Sequence, residues 1–137
     1  MLKLFFLRLY KLSLILLDLR LLRVFISFRV MAAVEHFPIL KRENFKTIVD
    51  AGANRGQFSL AASSIHNDVI IHAFEPLPGP AKIFNKIFYN HDNIILYKTA
   101  IGNSNKKLKM HISNKDDSSS LLEISDVQLH YYPDTNE

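Results

Sequence analysis

Short apolar runs alternate with amphipathic segments in the middle of the chain, and this alternation predicts a parallel α/β sheet. Three runs rich in Ile, Val and aromatic residues predict strands at Thr47–Val49, Val69–Phe74 and Ile94–Tyr97. The two segments between them, Gln57–His66 and Ala81–Tyr89, carry apolar residues at helical spacing. Since strands that alternate with helices form parallel βαβ units, we expect three parallel strands with helices packed against them.

Several finer features follow from the same pattern. The near-continuous run VIIHAF predicts a second strand that is covered on both faces. His72 in that run is interpreted as a sheet residue, because no other histidine or acid lies at metal-site spacing from it. Residues 35–46 are predicted to be a polar connection. The prolines after Glu75 are predicted to keep the segment that follows Glu75 out of helix. Lys107–Ser113 alternates like a further, half-exposed strand.

Residues 1–34 form an arm with a different composition, rich in Leu and Phe and free of Gly and Pro, which predicts helix. The arm holds six basic residues and one acid, whereas the other 103 residues hold eleven basic and twelve acidic ones. Its charges recur too often for a membrane span or a secretory signal. Three interpretations remain open: a helical lid on the domain or on a partner subunit, peripheral attachment to anionic lipid, and a transit peptide. Nucleic acid is not expected as a partner, because the basic residues lie outside the candidate binding domain.

The sequence KTIVDAGANRGQF, residues 46–58, carries the candidate chemistry. A strand that ends in Asp50 and continues into a loop with Gly52 and Gly56 can bring a ligand against the main chain. The spacing D-x-G-x-x-x-G is not the dinucleotide pattern G-x-G-x-x-G, and a carboxylate beside a diphosphate is unfavourable. The carboxylate suits a cationic amine, as in S-adenosylmethionine (SAM), which has no phosphate. Turn geometry alone is the alternative explanation of the two glycines.

A second acid, Glu75, follows the second strand about 20 residues after the glycine loop. At that position a carboxylate can accept hydrogen bonds from the vicinal hydroxyls of a ribose. The alternative is that Glu75 only caps the next helix. Ala100 follows the third strand at the same edge of the predicted sheet, where a small residue would admit an adenine ring. Residues 114–120 are either a linker or a loop over the pocket. The chain has no cysteine, which excludes thiolate metal sites and cysteine nucleophiles.

Four motifs in order, IVDAGANRGQFS (48–59), AFEPLPGP (73–80), TAIGNSN (99–105) and DDSSSLL (116–122), resemble the FkbM-type family of SAM-dependent methyltransferases. The resemblance implies a Rossmann-like sheet and methyl transfer to an oxygen acceptor on a glycan, a secondary metabolite or another small molecule. It implies that the cofactor is held by a methionine-side loop, a ribose acid and an adenine-side residue: Asp50, Gly52, Ala53, Asn54, Gly56, Glu75 and Ala100. It also implies that residues 117–120 close over cofactor or substrate.

The expected organisation is therefore a helical arm with its connector, residues 1–44, and the N-terminal half of a methyltransferase domain, residues 45–137. No fourth strand is recognised after Leu122, so we expect a truncated or split gene product whose first strand is an exposed apolar edge. A partner chain could complete that sheet. The expected location is cytoplasmic, and peripheral membrane contact through residues 1–34 is one of the interpretations left open for the arm. No catalytic base is assigned. The rival hypotheses are half of a nicotinamide-dependent oxidoreductase and a non-catalytic remnant that binds membranes or partners.

Overall fold

The computed structural model describes residues 9–10, 12–14, 16–113, 119 and 125–132. The chain forms two compact units, Met1–Ala100 and Ile101–Glu137. In the first unit the elements follow in the order α1 (Leu19–Phe28), a 3₁₀ turn (Val34–His36), α2 (Phe37–Arg42), β1 (Thr47–Ala51), α3 (Gln57–Ile65), β2 (Ile70–Phe74), α4 (Pro78–Ile87) and β3 (Ile94–Tyr97). The second unit contains α5 (Asp126–Tyr131).

The three strands form one parallel sheet in the order β1-β2-β3, which confirms the predicted α/β arrangement. The register aligns Val49 with His72, and His72 with Ile95. β1 lies at one edge of the sheet, and among the described residues it pairs only with β2. The arrangement is compatible with part of a Rossmann-like fold.

One face of this sheet is packed and the other is open. Ile48, Ile71 and Ile94 point into a core that also contains apolar side chains of α3 and α4. On the opposite face Val49 is 60% exposed and Ile70 is 43% exposed. The prediction of a second strand covered on both faces is therefore wrong for the described residues, because both crossover helices contribute to the same core. His72 lies on the open face, where its Nδ1 is 3.1 Å from the Tyr97 hydroxyl.

The arm does not form one uninterrupted helix. The described residues between 9 and 17 are helical, but Asp18 is extended and caps α1 by accepting hydrogen bonds from the N–H groups of Arg20 and Leu21. Leu21 is buried in the core of the domain, and Arg29 ends the helix in the left-handed conformation. α1 thus packs on the domain, as the lid interpretation expects. Among the residues that the structure describes, no helix is long and apolar enough to cross a bilayer.

Two connections contain helices that the sequence pattern did not predict. Residues 35–46 are not only a polar connection, because α2 buries Phe37 and Leu40 one turn apart, with Pro38 in the first turn. α4 begins at Pro78 and not at Ala81, so the prolines after Glu75 do not keep the segment out of helix. The reason is the same in both cases: the first turn of a helix needs no N–H partner, and proline is favoured there.

The second unit departs from the predicted strand. Over Lys107–Ser113 the structure has only an isolated bridge at His111, and Leu108 and Ile112 are more than half exposed. Among the described residues of this unit no neighbouring strand covers these side chains, and alternation alone does not form a strand. Within residues 114–122 only Ser119 is described, and its hydroxyl accepts a hydrogen bond from the Ser113 N–H at 3.1 Å. The predicted loop over the pocket therefore lies outside the described residues.

Candidate functional site

The glycine loop is fixed to the end of the neighbouring strand by its own backbone. After β1 ends, the N–H groups of Gly52 and Ala53 both donate to the Phe74 carbonyl oxygen, at 2.9 and 3.0 Å. Gly52, Asn54 and Gly56 have φ values of +80°, +49° and +94°, all in the left-handed region. Such values are tolerated by glycine and to a lesser degree by asparagine. The loop therefore turns tightly at the carboxyl edge of the sheet and leads directly into α3.

Glu75 holds the same loop from its other side. Its Oε2 accepts a hydrogen bond from the Asn54 N–H at 2.8 Å, and its Oε1 accepts one from the Leu77 N–H at 2.8 Å. The side chain is 4% exposed. Because a carboxylate offers about four acceptor positions, each oxygen keeps one further lone pair beyond these two bonds. Glu75 thus clamps the loop to the start of the following segment and still has acceptor capacity at the sheet edge.

Asp50 has a different set of partners. It is 7% exposed, and the Ser59 hydroxyl donates to its Oδ2 at 2.6 Å. Burial raises the pKa of the Asp50 carboxyl, and the negative charge of Glu75 raises it further. The hydrogen bonds from Ser59 and the charge of His36 act in the opposite direction, but the net pKa stays above the ordinary value for aspartate. The surroundings of Asp50 therefore disfavour its ionised form.

The two carboxylates lie at the same end of the sheet. The register places Asp50 beside Ala73 and Ala51 beside Phe74, so β1 and β2 end at the same level. The Glu75 N–H donates to the Tyr97 carbonyl oxygen at 3.0 Å, which links this end to the last residue of β3. The carboxyl edge of an open parallel sheet is the usual ligand site of such folds. The predicted juxtaposition of the two acids is thus present.

The two glycines of the loop occupy different surroundings. A Cβ atom on Gly52 would meet no atom within 4 Å, so the space beside this residue is open. A Cβ atom on Gly56 would lie 2.6 Å from Phe88 Cε2 and 3.0 Å from Phe84 Cδ2. Both glycines were expected to let a ligand approach the main chain. Gly56 instead packs closely against α4 and the residue after it, which leaves no room for a side chain at this position.

The remaining predicted residues are arranged as follows. Ala53 is buried and belongs to the core, whereas Asn54 is half-buried and uses its side-chain oxygen to accept from the Arg55 N–H at 2.7 Å. Ala100 is exposed and follows the end of β3 by three residues. The structure therefore brings Glu75 into contact with the loop, and it places Asp50 at the same end of the sheet. Ala100 lies beyond the same edge.

Ser59 is a residue of this site that the sequence pattern did not single out. It is fully buried on the first turn of α3 and is the hydrogen-bond donor to Asp50. The available signal was a polar residue at the third position of a helix whose neighbours Leu60, Ala61 and Ala62 are all buried and apolar. A buried hydroxyl needs a partner, and an acid near the end of the preceding strand is a candidate acceptor.

No protein-family model matches this chain, and no curated protein sequence matches it.

Proposed function

We propose that this chain binds S-adenosylmethionine at the carboxyl edge of its sheet and is the cofactor-binding part of a SAM-dependent O-methyltransferase of the FkbM type. The observation that carries the proposal is the pair of buried carboxylates, Asp50 and Glu75, at the ends of adjacent parallel strands with the open position at Gly52 beside them. Two of the four motifs that resemble the family, residues 48–59 and 73–80, contain these three residues.

Asp50 is the proposed partner of the cofactor's amino-acid end. Among the described residues it has no ion pair within 4 Å, although it is almost fully buried. A buried carboxylate without a cation is costly, and a ligand ammonium group would supply the missing charge. A diphosphate would instead add negative charge next to two carboxylates. This supports an adenosyl amino acid over a nicotinamide dinucleotide.

Glu75 is proposed to accept from the ribose hydroxyls through the lone pairs that Asn54 and Leu77 leave available. Ala100, beyond the end of β3, would lie on the adenine side. The hydrogen bonds from the Asn54 and Leu77 N–H groups to Glu75 also fix the position of the loop relative to β2. One side chain would therefore set both the loop position and the cofactor position, which is the kind of preorganisation that favours tight binding.

The proposed reaction is attack of an acceptor hydroxyl oxygen on the sulfonium-bound methyl carbon. The O–C bond forms as the C–S bond breaks, the hydroxyl proton leaves to solvent or to a base, and S-adenosylhomocysteine is the second product. The acceptor class, a hydroxyl of a glycan or a secondary metabolite, follows from the family resemblance. For this chemistry the chain's own contribution is orientation of the bound cofactor, since methyl transfer gains mainly from positioning.

Isothermal titration of the purified chain with S-adenosylmethionine tests the proposal. We expect binding, and we expect Asp50→Asn to weaken it by about tenfold to a few hundredfold, as the loss of a charged hydrogen bond does. Glu43→Gln is the matched control, because Glu43 is exposed and pairs only with Arg42 in the described structure. Absence of heat with the wild-type chain would overturn the cofactor assignment. Energy transfer to bound NADH would favour the nicotinamide alternative.

A further inference from the structure

A groove between α1 and α4 is lined by basic, apolar and neutral polar residues and by no acid. One cavity of about 390 Å³ lies against both helices, and its lining includes Arg23, Lys86 and Tyr89. A second cavity of about 780 Å³ shares Lys86 and Tyr89 with the first and adds Lys82 and Lys98. The shared residues make the two cavities one continuous surface. The volume of each cavity taken alone is in the range of small-molecule sites.

The cations of this groove come from three separate parts of the first unit. Arg23 belongs to α1, Lys82 and Lys86 lie one turn apart on α4, and Lys98 follows β3. Among the described residues none of the four has a carboxylate within 4 Å. Arg20, by contrast, is occupied by Asp18, Asn67 and Ser64. Like charges that gather without a counter-ion raise the positive potential of a surface and attract an anionic partner.

Exposed apolar side chains lie on the same side of α1 as Arg23. On α1, Leu19 is 79% exposed and Ile26 is 65% exposed, two turns apart on one side of the helix with Arg23 between them. Leu16 and Leu17, just before the Asp18 cap, are 55% and 84% exposed. The opposite side of α1 is buried in the domain through Leu21. A helix that keeps leucines in water beside unpaired cations has the composition of an interfacial helix.

We propose that α1 and the outer face of α4 form one docking surface for an anionic phospholipid bilayer. Leu19 and Ile26 enter the boundary between headgroups and acyl chains, and Arg23 and the three lysines bind lipid phosphates. An acidic protein surface would satisfy the lysines, but it would leave the leucines exposed. Part of this membrane contact comes from α4 and Lys98, which lie outside the arm of residues 1–34.

Co-sedimentation with vesicles tests this surface directly and needs no SAM. We expect the wild-type chain to bind phosphatidylcholine vesicles that contain phosphatidylglycerol, and to bind pure phosphatidylcholine far more weakly. The triple variant Lys82→Gln/Lys86→Gln/Lys98→Gln should bind about a hundredfold more weakly, since each basic residue near an anionic membrane contributes roughly a fivefold effect. The matched control is Lys106→Gln/Lys107→Gln/Lys109→Gln, which removes the same charge from exposed lysines of the second unit.

The outcomes separate the proposal from simpler explanations. Equal losses in the two triple variants would overturn the assignment to this groove and leave only net charge. Equal binding to charged and uncharged vesicles would overturn the role of the lysines. If inorganic phosphate shifts the NMR signals of Lys82, Lys86 and Lys98 but anionic vesicles do not sediment the chain, the groove binds a free anion and the bilayer proposal is wrong. Circular dichroism of each variant excludes loss of the fold as the cause.

Discussion

The two ends of the glycine loop contrast in what surrounds them. At the Gly56 end the backbone is pressed against Phe84 and Phe88, and at the Gly52 end the space beside the residue is open. Both glycines have positive φ, and the sequence alone does not distinguish them. The difference teaches that one glycine is required by packing and the other only by backbone conformation. The open end is therefore the part of the loop that a ligand can approach.

The two carboxylates also differ in their hydrogen-bond partners and surroundings. Glu75 is satisfied by two backbone N–H groups whose positions are fixed by the fold. Asp50 accepts from the side chain of Ser59, and burial together with the charge of Glu75 raises its pKa. Glu75 is thus part of what holds the loop together, whereas the charge on Asp50 is opposed by its surroundings. A charge that the fold opposes is characteristic of a functional group.

The largest expected effect is that of Glu75→Ala on stability. The substitution leaves the N–H groups of Asn54 and Leu77 without their acceptor, and each hydrogen bond to a charged group contributes roughly 1.5–3 kcal/mol. We expect the free energy of unfolding to fall by about 3–6 kcal/mol, measured by urea denaturation followed by circular dichroism. Glu43→Ala, at an exposed ion pair, should stay within about 0.5 kcal/mol of wild type. A loss below about 1 kcal/mol for Glu75→Ala would contradict the clamp.

Substitution of each glycine by alanine sharpens the comparison at the next level. Gly56→Ala combines strain at positive φ, about 1–2 kcal/mol, with overpacking against two phenylalanines, about 1–3 kcal/mol. Gly52→Ala carries the backbone strain alone, so its loss should be about 1–2 kcal/mol. Thermal unfolding of the two variants side by side measures the difference.

The same pair of variants also separates packing from ligand access. Gly52→Ala should weaken SAM binding more than its small loss of stability explains, because the new methyl group occupies the open space beside the loop. Equal melting temperatures for the two alanine variants would show that Phe84 and Phe88 can move aside. In that case the contrast between the ends of the loop would not hold.

The sequence predicted those parts of the molecule that local patterns determine. The three strands, their parallel direction and the loop between Asp50 and Gln57 could be predicted from apolar runs and glycine spacing. The start of α4 at Pro78 and the helix at Phe37–Arg42 could not be predicted in this way. The sequence does not distinguish a proline in the first turn of a helix from a proline that ends one.

Tertiary contacts decided the rest of the site. That Gly56 meets Phe88, and that Ser59 reaches Asp50, depends on how α3 and α4 pack against the sheet. Periodicity gives the face that a helix buries, but it does not give the distance between two side chains on different elements. The open second face of the sheet was missed for a similar reason. The apolar run of β2 is equally compatible with one covered face or two.

The smallest expected effect concerns Asp50 itself and depends on pH. Its pKa is higher in the folded chain than in the unfolded chain, so between the two values the folded state binds more protons. Stability should therefore fall as the pH rises through this window, and should remain lower at neutral pH. Asp50→Asn imitates the protonated carboxyl and keeps an acceptor for Ser59. It should be slightly more stable than wild type at neutral pH, and the advantage should shrink in acid.

Ser59→Ala tests the same balance from the other side. Removal of the hydroxyl takes away one of the interactions that lower the pKa of Asp50, so that pKa should rise further and the fall in stability should extend to higher pH. The carboxyl carbon signal of Asp50, followed by NMR over pH, measures the shift without any ligand. Ser59→Thr keeps the donor and should titrate like wild type. If the alanine and threonine variants titrate alike, Ser59 acts only through packing, and the charge at the open end of the loop is maintained by something other than this hydrogen bond.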